Sequence, residues 1–161
     1  MQIIKKNFFY ILIFIFIFSL DRFTKFLVIN EAEKITNGRI FESTYINLEL
    51  IWNEGIAFGL FSFSSSNSYN LITIVIFAVI LMVIYFLIRS KNVEKFFFLM
   101  IFAGATGNFY DRIAYKAVPD FIDLHINNFH WFIFNIADIF ITIGVICLIF
   151  DEIILQRKRY D

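Results

Sequence analysis

Apolar residues run through this chain in four long stretches, and polar residues fall between them or at a few fixed places inside them. A bilayer core about 30 Å thick needs roughly 20 mostly apolar residues in a spanning helix, and all four stretches are long enough. The first covers about 8–29, with Asp21, Arg22, Thr24 and Lys25 interrupting its outer third. The second, about 69–88, carries no charge. The third runs over about 96–117 and should end there, because Pro119 biases Val118 out of helical geometry. The fourth covers about 131–150. The pattern predicts an all-α membrane protein: one integral domain over 1–161 with four transmembrane helices. Lys5 and Lys6 before the first stretch also suit a signal peptide, but no small-x-small cleavage site follows, so the segment reads as an uncleaved span.

The long loop 30–68 has its own pattern. Ile46, Leu48, Leu50 and Trp52 alternate with Asn47, Glu49 and Ile51, the period of a half-buried strand weakened by Ile51. Backbone groups left unpaired in lipid have no partner, so this strand belongs to a small extracytoplasmic β-sheet cradle on the membrane surface. Residues 62–68 read as a polar loop leading into the second span.

Composition removes the soluble alternatives. Hydrophobic residues make up 60% of the 161, against roughly 45–50% in soluble domains. The 14 basic and 14 acidic residues cancel, so no global field favours nucleic acid as a partner. Their placement is uneven. Lys5, Lys6, Arg89, Lys91, Lys95, Arg157, Lys158 and Arg159 flank one set of span ends, which puts both termini in the cytoplasm and loops 30–68 and 118–130 outside. Cys147 is the single cysteine and has no partner for an internal disulfide.

The charges inside the spans share one depth. At about 1.5 Å per residue, Asp21 lies about 12 Å from the outer end of its span, Asp111 about 9 Å and Asp138 about 10–12 Å. Helical spacing sets Thr24 and Lys25 beside Asp21, Gly104, Asn108 and Arg112 beside Asp111, and Asn135 and Thr142 beside Asp138. Gly104 and Gly107 allow close approach of a neighbouring helix. One reading is structural: Arg112 or Lys25 neutralises Asp21 or Asp111 and the ion pairs hold the bundle together. The layer contains more acids than such pairing needs once Asp138 and the loop residue Asp120 are included.

Two carboxyl groups held close share a proton, so one serves as general base and the other as general acid, and such a dyad activates water without a cofactor. No serine-nucleophile motif competes. Asp120, Asp123, His125 and His130 imitate a metal site, but the two histidines read as loop residues at the headgroup boundary, with a spacing that matches no metal motif. A proton-coupled transporter or channel subunit would also use buried acids. It would need polar residues continuing to the cytoplasmic side, and the inner halves of the spans have no charge.

Five segments resemble successive motifs of one family, the bacterial lipoprotein signal peptidases (signal peptidase II). They are Asp21-Arg22-Phe23-Thr24-Lys25, Asn53-Glu54-Gly55-Ile56-Ala57-Phe58-Gly59, Gly104 through Arg112, Val118-Pro119-Asp120-Phe121-Ile122, and Phe134-Asn135-Ile136-Ala137-Asp138. The resemblance implies a four-span aspartyl protease that cleaves a prolipoprotein just before its diacylglyceryl-modified cysteine and is inhibited by globomycin. It implies Asp120 and Asp138 as the catalytic pair, Asn108, Arg112 and Asn135 lining the site, and Asn53 and Gly55 positioning substrate. Asp21 and Lys25 would organise the cluster. Ala105 stands where the family has a second glycine, and Pro119 directly before Asp120 departs from the pattern, which leaves Asp123 or Asp111 as a fallback partner.

Overall fold

The computed structural model describes residues 2–35, 39–55 and 66–160. Its elements in order are α1 (Gln2–Ala32), β1 (Arg39–Glu42), β2 (Ile46–Asn53), α2 (Ser66–Arg89), α3 (Asn92–Tyr115), β3 (Val118–Ile126), β4 (Phe129–Phe134) and α4 (Ile136–Tyr160). Residues 56–59 of the second motif and 62–65 of the expected polar loop lie outside the described residues. Among those described, Tyr69–Arg89 is the segment long and apolar enough, by length and composition, to cross a membrane.

Helix α3 is the hub, packing against α1, α2 and α4. Its glycines make that possible. A Cβ on Gly104 would sit 2.5 Å from the Ala137 carbonyl oxygen of α4, and one on Gly107 would sit 2.7 Å from Asp21 Oδ2 of α1. Gly144 of α4 does the same in reverse against Phe97 and Ile101 of α3. The apolar core is small, centred on Ile17, Met100 and Ala103. Large side chains such as Phe16, Ile74 and Ile88 are instead 62%, 65% and 72% exposed, far more apolar surface than a soluble monomer leaves to water.

Helix α3 ends at Tyr115, earlier than expected, because Lys116 adopts a left-handed φ of 62° and its N–H donates to the Arg112 carbonyl at 3.2 Å. Val118 is then extended, as its position before proline demands. The expected loop 118–130 and the start of the fourth span are corrected here: residues 118–134 form a β-hairpin, turned at Asn127-Asn128 with Asn127 at φ 53°, and α4 begins at Ile136 rather than at 131. Asparagine tolerates that conformation, which suits a two-residue turn.

The four strands form one antiparallel sheet in the order β1-β2-β3-β4, the small sheet expected beside the four helices, with the β3–β4 hairpin added to it. Strand β2 has an extra residue between Leu48 and Ile51 relative to Ile122 and Asp120 of β3, and this bulge is why Ile51 breaks the alternation in the sequence. The strand is also inverted relative to a soluble one: Asn47 is buried, while Ile46, Ile51 and Trp52 are exposed. Pro119 pairs with Trp52, at the end of β3 that runs past β4. With a strand neighbour on one side only, that position accommodates a residue lacking an N–H.

Candidate active site

The site is built outward from the start of α4. Asn135 precedes the helix; its Oδ1 accepts from the Asp138 N–H at 3.1 Å, while Asp138 Oδ2 accepts from the Asn135 N–H at 3.1 Å. This reciprocal cap fixes the Asp138 carboxylate as part of folding the helix terminus. The remaining end of the Asn135 amide, Nδ2, donates to Asp120 Oδ1 at 2.6 Å. Asn135 therefore binds both carboxylates, one through its side-chain amide and the other through its backbone N–H. Asp138 Oδ1 accepts from Asn108 Nδ2 of α3 at 2.7 Å, and Asp120 Oδ2 from Asn53 Nδ2 of β2 at 2.8 Å. Both carboxylates are thus held by amides rather than cations.

Asp120, on β3, is only 4% exposed. Burial pushes its carboxyl up to about 6, the negative charge of Asp138 adds to that, and the Asn53 and Asn135 hydrogen bonds oppose it. A group poised there exchanges protons near neutral pH, as general acid–base chemistry requires.

Behind this pair lies a second cluster. Lys25 Nζ donates to Asp111 Oδ2 at 2.7 Å, to Asp21 Oδ2 at 3.2 Å and to Asn108 Oδ1 at 2.8 Å. Asn108 therefore receives from Lys25 and donates to Asp138. Asp21 turns its Oδ1 to the Ala137 N–H at 3.1 Å, placing a carboxylate at the N-terminus of α4. Arg22 completes the cluster, donating to Asp21 Oδ2 at 2.5 Å and to both Asp111 oxygens, with its guanidinium over the rings of Phe18 and Tyr110.

Arg112 is not an ion-pair partner of Asp21 or Asp111, correcting one expectation. Its guanidinium donates to the Gly55 carbonyl, and the Gly55 N–H donates to Asn53 Oδ1 at 2.9 Å. Arg112 thus anchors the turn after β2 that presents Asn53 to Asp120. Sequence reasoning brought together Asp21, Lys25, Asn53, Gly55, Asn108, Arg112, Asp120, Asn135 and Asp138, and the fold joins all nine through these bonds. It gave no role to Arg22, which follows Asp21 directly and so lies off its helical face; only the length of the arginine brings it back. The fallback acids are engaged elsewhere, Asp111 in the charged cluster and Asp123 with Asn47 and His130.

An apolar cavity of about 590 Å³ opens beside Asp138, lined by Phe129, Trp131, Phe134, Ile139 and Ile143.

The sequence model of Signal peptidase (SPase) II matches residues 13–154. The chain belongs to the signal peptidase II family. Its members are aspartic peptidases, which excludes the transporter reading. Among relatives, the chain is 52% identical over 155 residues to a lipoprotein signal peptidase of Pelagibacter ubique, covering 96% of this chain and 93% of that one. It is 38% identical over 164 residues to the one of Francisella tularensis subsp. novicida, covering 98% and 99%. A solved bacterial membrane enzyme superimposes with a TM-score of 0.73 at 35% identity, over 89% of this chain and 87% of that one. As a signal peptidase II, the chain is a membrane enzyme with four helices and a small antiparallel sheet.

Proposed function

We propose that the chain removes signal peptides from diacylglyceryl-modified prolipoproteins, cleaving just before the lipidated cysteine, with Asp120 and Asp138 as its catalytic dyad. The observation that carries this reading is Asn135, which binds both carboxyl groups, Asp120 through its side-chain amide and Asp138 through its backbone N–H. One carboxylate takes a proton from water as the oxygen attacks the peptide carbonyl. The other, protonated, stabilises the developing oxyanion and then protonates the departing amine. Asn108 and Asn53 orient the pair, and Arg112 and Gly55 hold the turn carrying Asn53.

The chain is one integral domain whose four helices all cross the bilayer of the cytoplasmic (inner) membrane, with both termini cytoplasmic and the dyad toward the outer leaflet. Support comes from exposed apolar side chains along all four helices and from basic residues gathered at the opposite ends. The inverted sheet, polar inside and apolar outside, suits a cradle lying against lipid. The apolar cavity beside Asp138 offers the substrate's lipid-proximal segment a wall, and a cyclic peptide of the globomycin type inhibits by occupying the same space.

The test is incubation of the purified protein with a diacylglyceryl-modified precursor and with its unlipidated twin. Release of the signal peptide from the lipidated form alone is expected. Cleavage of neither refutes the reading, and equal cleavage of both removes the lipid requirement.

A further inference from the structure

Besides the dyad, the β3–β4 hairpin carries a second constellation, one member of which, His125, also lines the cavity beside Asp138. Asp123 and Asp120 are three residues apart on one strand, so their side chains leave on opposite faces. On the Asp123 face the hairpin register sets His125 opposite His130, with their rings stacked at 5.1 Å. A ring nitrogen of each histidine and a carboxylate oxygen of Asp123 all lie within 4.8 Å of one another. His130 Nδ1 is 2.8 Å from Asp123 Oδ2, and His125 Nδ1 is 4.0 Å from the same oxygen.

The hydrogen bonding here is incomplete. Among the described residues, four buried side-chain polar atoms have no hydrogen-bond partner, and three of them belong to this cluster: Asp123 Oδ1, His125 Nδ1 and Asn47 Oδ1. The His125 side chain is nine-tenths buried at 10% exposure, and its bare nitrogen faces the Asp123 carboxylate. Each such buried atom calls for a partner, an ordered water or an ion, and His125 Nδ1 is the one of the three aimed at Asp123 Oδ2. Two imidazoles and a carboxylate are a donor set for a borderline divalent ion rather than for Mg²⁺ or Ca²⁺, which take oxygen ligands.

We propose that Asp123, His125 and His130 form a Zn²⁺ site that clasps the β3–β4 hairpin. Zinc–nitrogen and zinc–oxygen bonds of about 2.0–2.2 Å in a tetrahedron put ligand atoms about 3.3 Å apart. The separations of 2.8 and 4.0 Å bracket that value, so side-chain rotations of well under an ångström complete the geometry. Asn47, which donates to Asp123 Oδ2 at 3.2 Å, orients the carboxylate from behind. His130 is half exposed, leaving an open approach for the ion and a fourth position for water. The ion ties the turn end of the hairpin together, three residues from Asp120 at one end of the site strand.

The experiment is calorimetric titration of the full chain, purified in detergent without a histidine tag, with Zn²⁺ and separately with Mg²⁺, alongside thermal unfolding. One Zn²⁺ per chain is expected, with a rise in Tm that saturates at the same stoichiometry and no response to Mg²⁺. H130A alters an exposed side chain and should fold normally; it is expected to weaken Zn²⁺ binding by at least about tenfold, and H125N likewise. No stoichiometric uptake by the unsubstituted chain at about tenfold excess overturns the site, as does binding to H130A with undiminished affinity.

Discussion

The cluster between α1 and α3 holds two acids and two bases, whereas the pair reached through Asn108 holds two acids bound by three amides. Asp21 and Asp111 are each met by Arg22 and Lys25, and every one of these bonds is shorter than 3.5 Å. Asp120 and Asp138 are met by Asn53, Asn108 and Asn135. A cation would fix an acid as its anion and hold the proton off; an amide positions the carboxyl group and leaves its proton exchangeable. The structural reading of buried charge therefore fits the first cluster and the catalytic reading the second. Asn108 joins them, so that charge balance in the one sets amide orientation in the other.

The largest expected effect is on the amide-held pair. Asp120→Asn and Asp138→Asn each keep the size of the side chain and nearly all its packing, yet remove one carrier of the shared proton. Either variant should lose at least about a thousandfold in kcat while inserting and unfolding much as the parent does. Single-turnover cleavage of a lipidated precursor, with Tm as the control, checks this. Normal turnover by either variant would erase the distinction between the two clusters.

The charged cluster should fail in the opposite sense, through stability. Lys25→Met leaves two buried acids facing one arginine, and breaking a buried pair in this way costs about 3–5 kcal/mol. Lys25→Met combined with Asp111→Asn restores one acid to one base, so the double variant should be more stable than the lysine variant alone. Denaturant unfolding in detergent measures both. Additive losses would show that these residues act separately rather than as one balanced unit.

The pH response sharpens the same contrast. Asp120 is raised from an ordinary 3.8 to about 6 in the folded chain. Between those values the folded state binds more protons than the unfolded state, so stability falls as pH rises through the window. Asp120→Asn should flatten that decline, which Tm profiles over about pH 4–6.5 would show, to an extent of at most about 3 kcal/mol. Activity runs the other way, rising with pH as the pair gives up its first proton. A parent whose Tm rose through the window would contradict the burial of an uncompensated carboxyl at this position.

Much of this division was legible in the residues. Helical spacing put Lys25 beside Asp21 and Asn108 beside Asp111, and the fold links these to Asp138 through Lys25 and Asn108; the depth counted for Asp138 does not hold, because α4 begins at Ile136 rather than at 131. Apolar periodicity failed at residues 131–134, where Trp131-Phe132-Ile133-Phe134 runs into α4 without a polar break. A four-residue apolar run does not distinguish strand from helix. The signal that does is Asn135 followed three residues later by Asp138, a helix start that also contains a site residue. The hairpin itself was hidden because its strands bury polar positions such as Asp120 and Asp123, inverting the usual code. Arg22 was hidden for another reason: its partners are chosen by side-chain reach across α1 and α3, which no spacing along one helix reveals.

The smallest effect concerns charge without burial. Arg39, at the start of β1, lies 2.9 Å from Glu42 and 3.6 Å from Glu49, distances much like those around Lys25. Its side chain is 47% exposed against 2% for Lys25. Water already solvates both partners there, and salt screens them, so the pair adds little. Arg39→Ala should change stability by no more than about 0.5 kcal/mol and leave cleavage of the precursor unaltered, both read in the assays used for Lys25→Met. A loss at Arg39 comparable to that at Lys25 would mean that proximity of opposite charges, rather than their removal from water, governs the charged cluster. An unchanged Arg39→Ala beside a destabilised Lys25→Met would instead locate the difference in desolvation, which Asp120 shares with Asp21, Lys25 and Asp111.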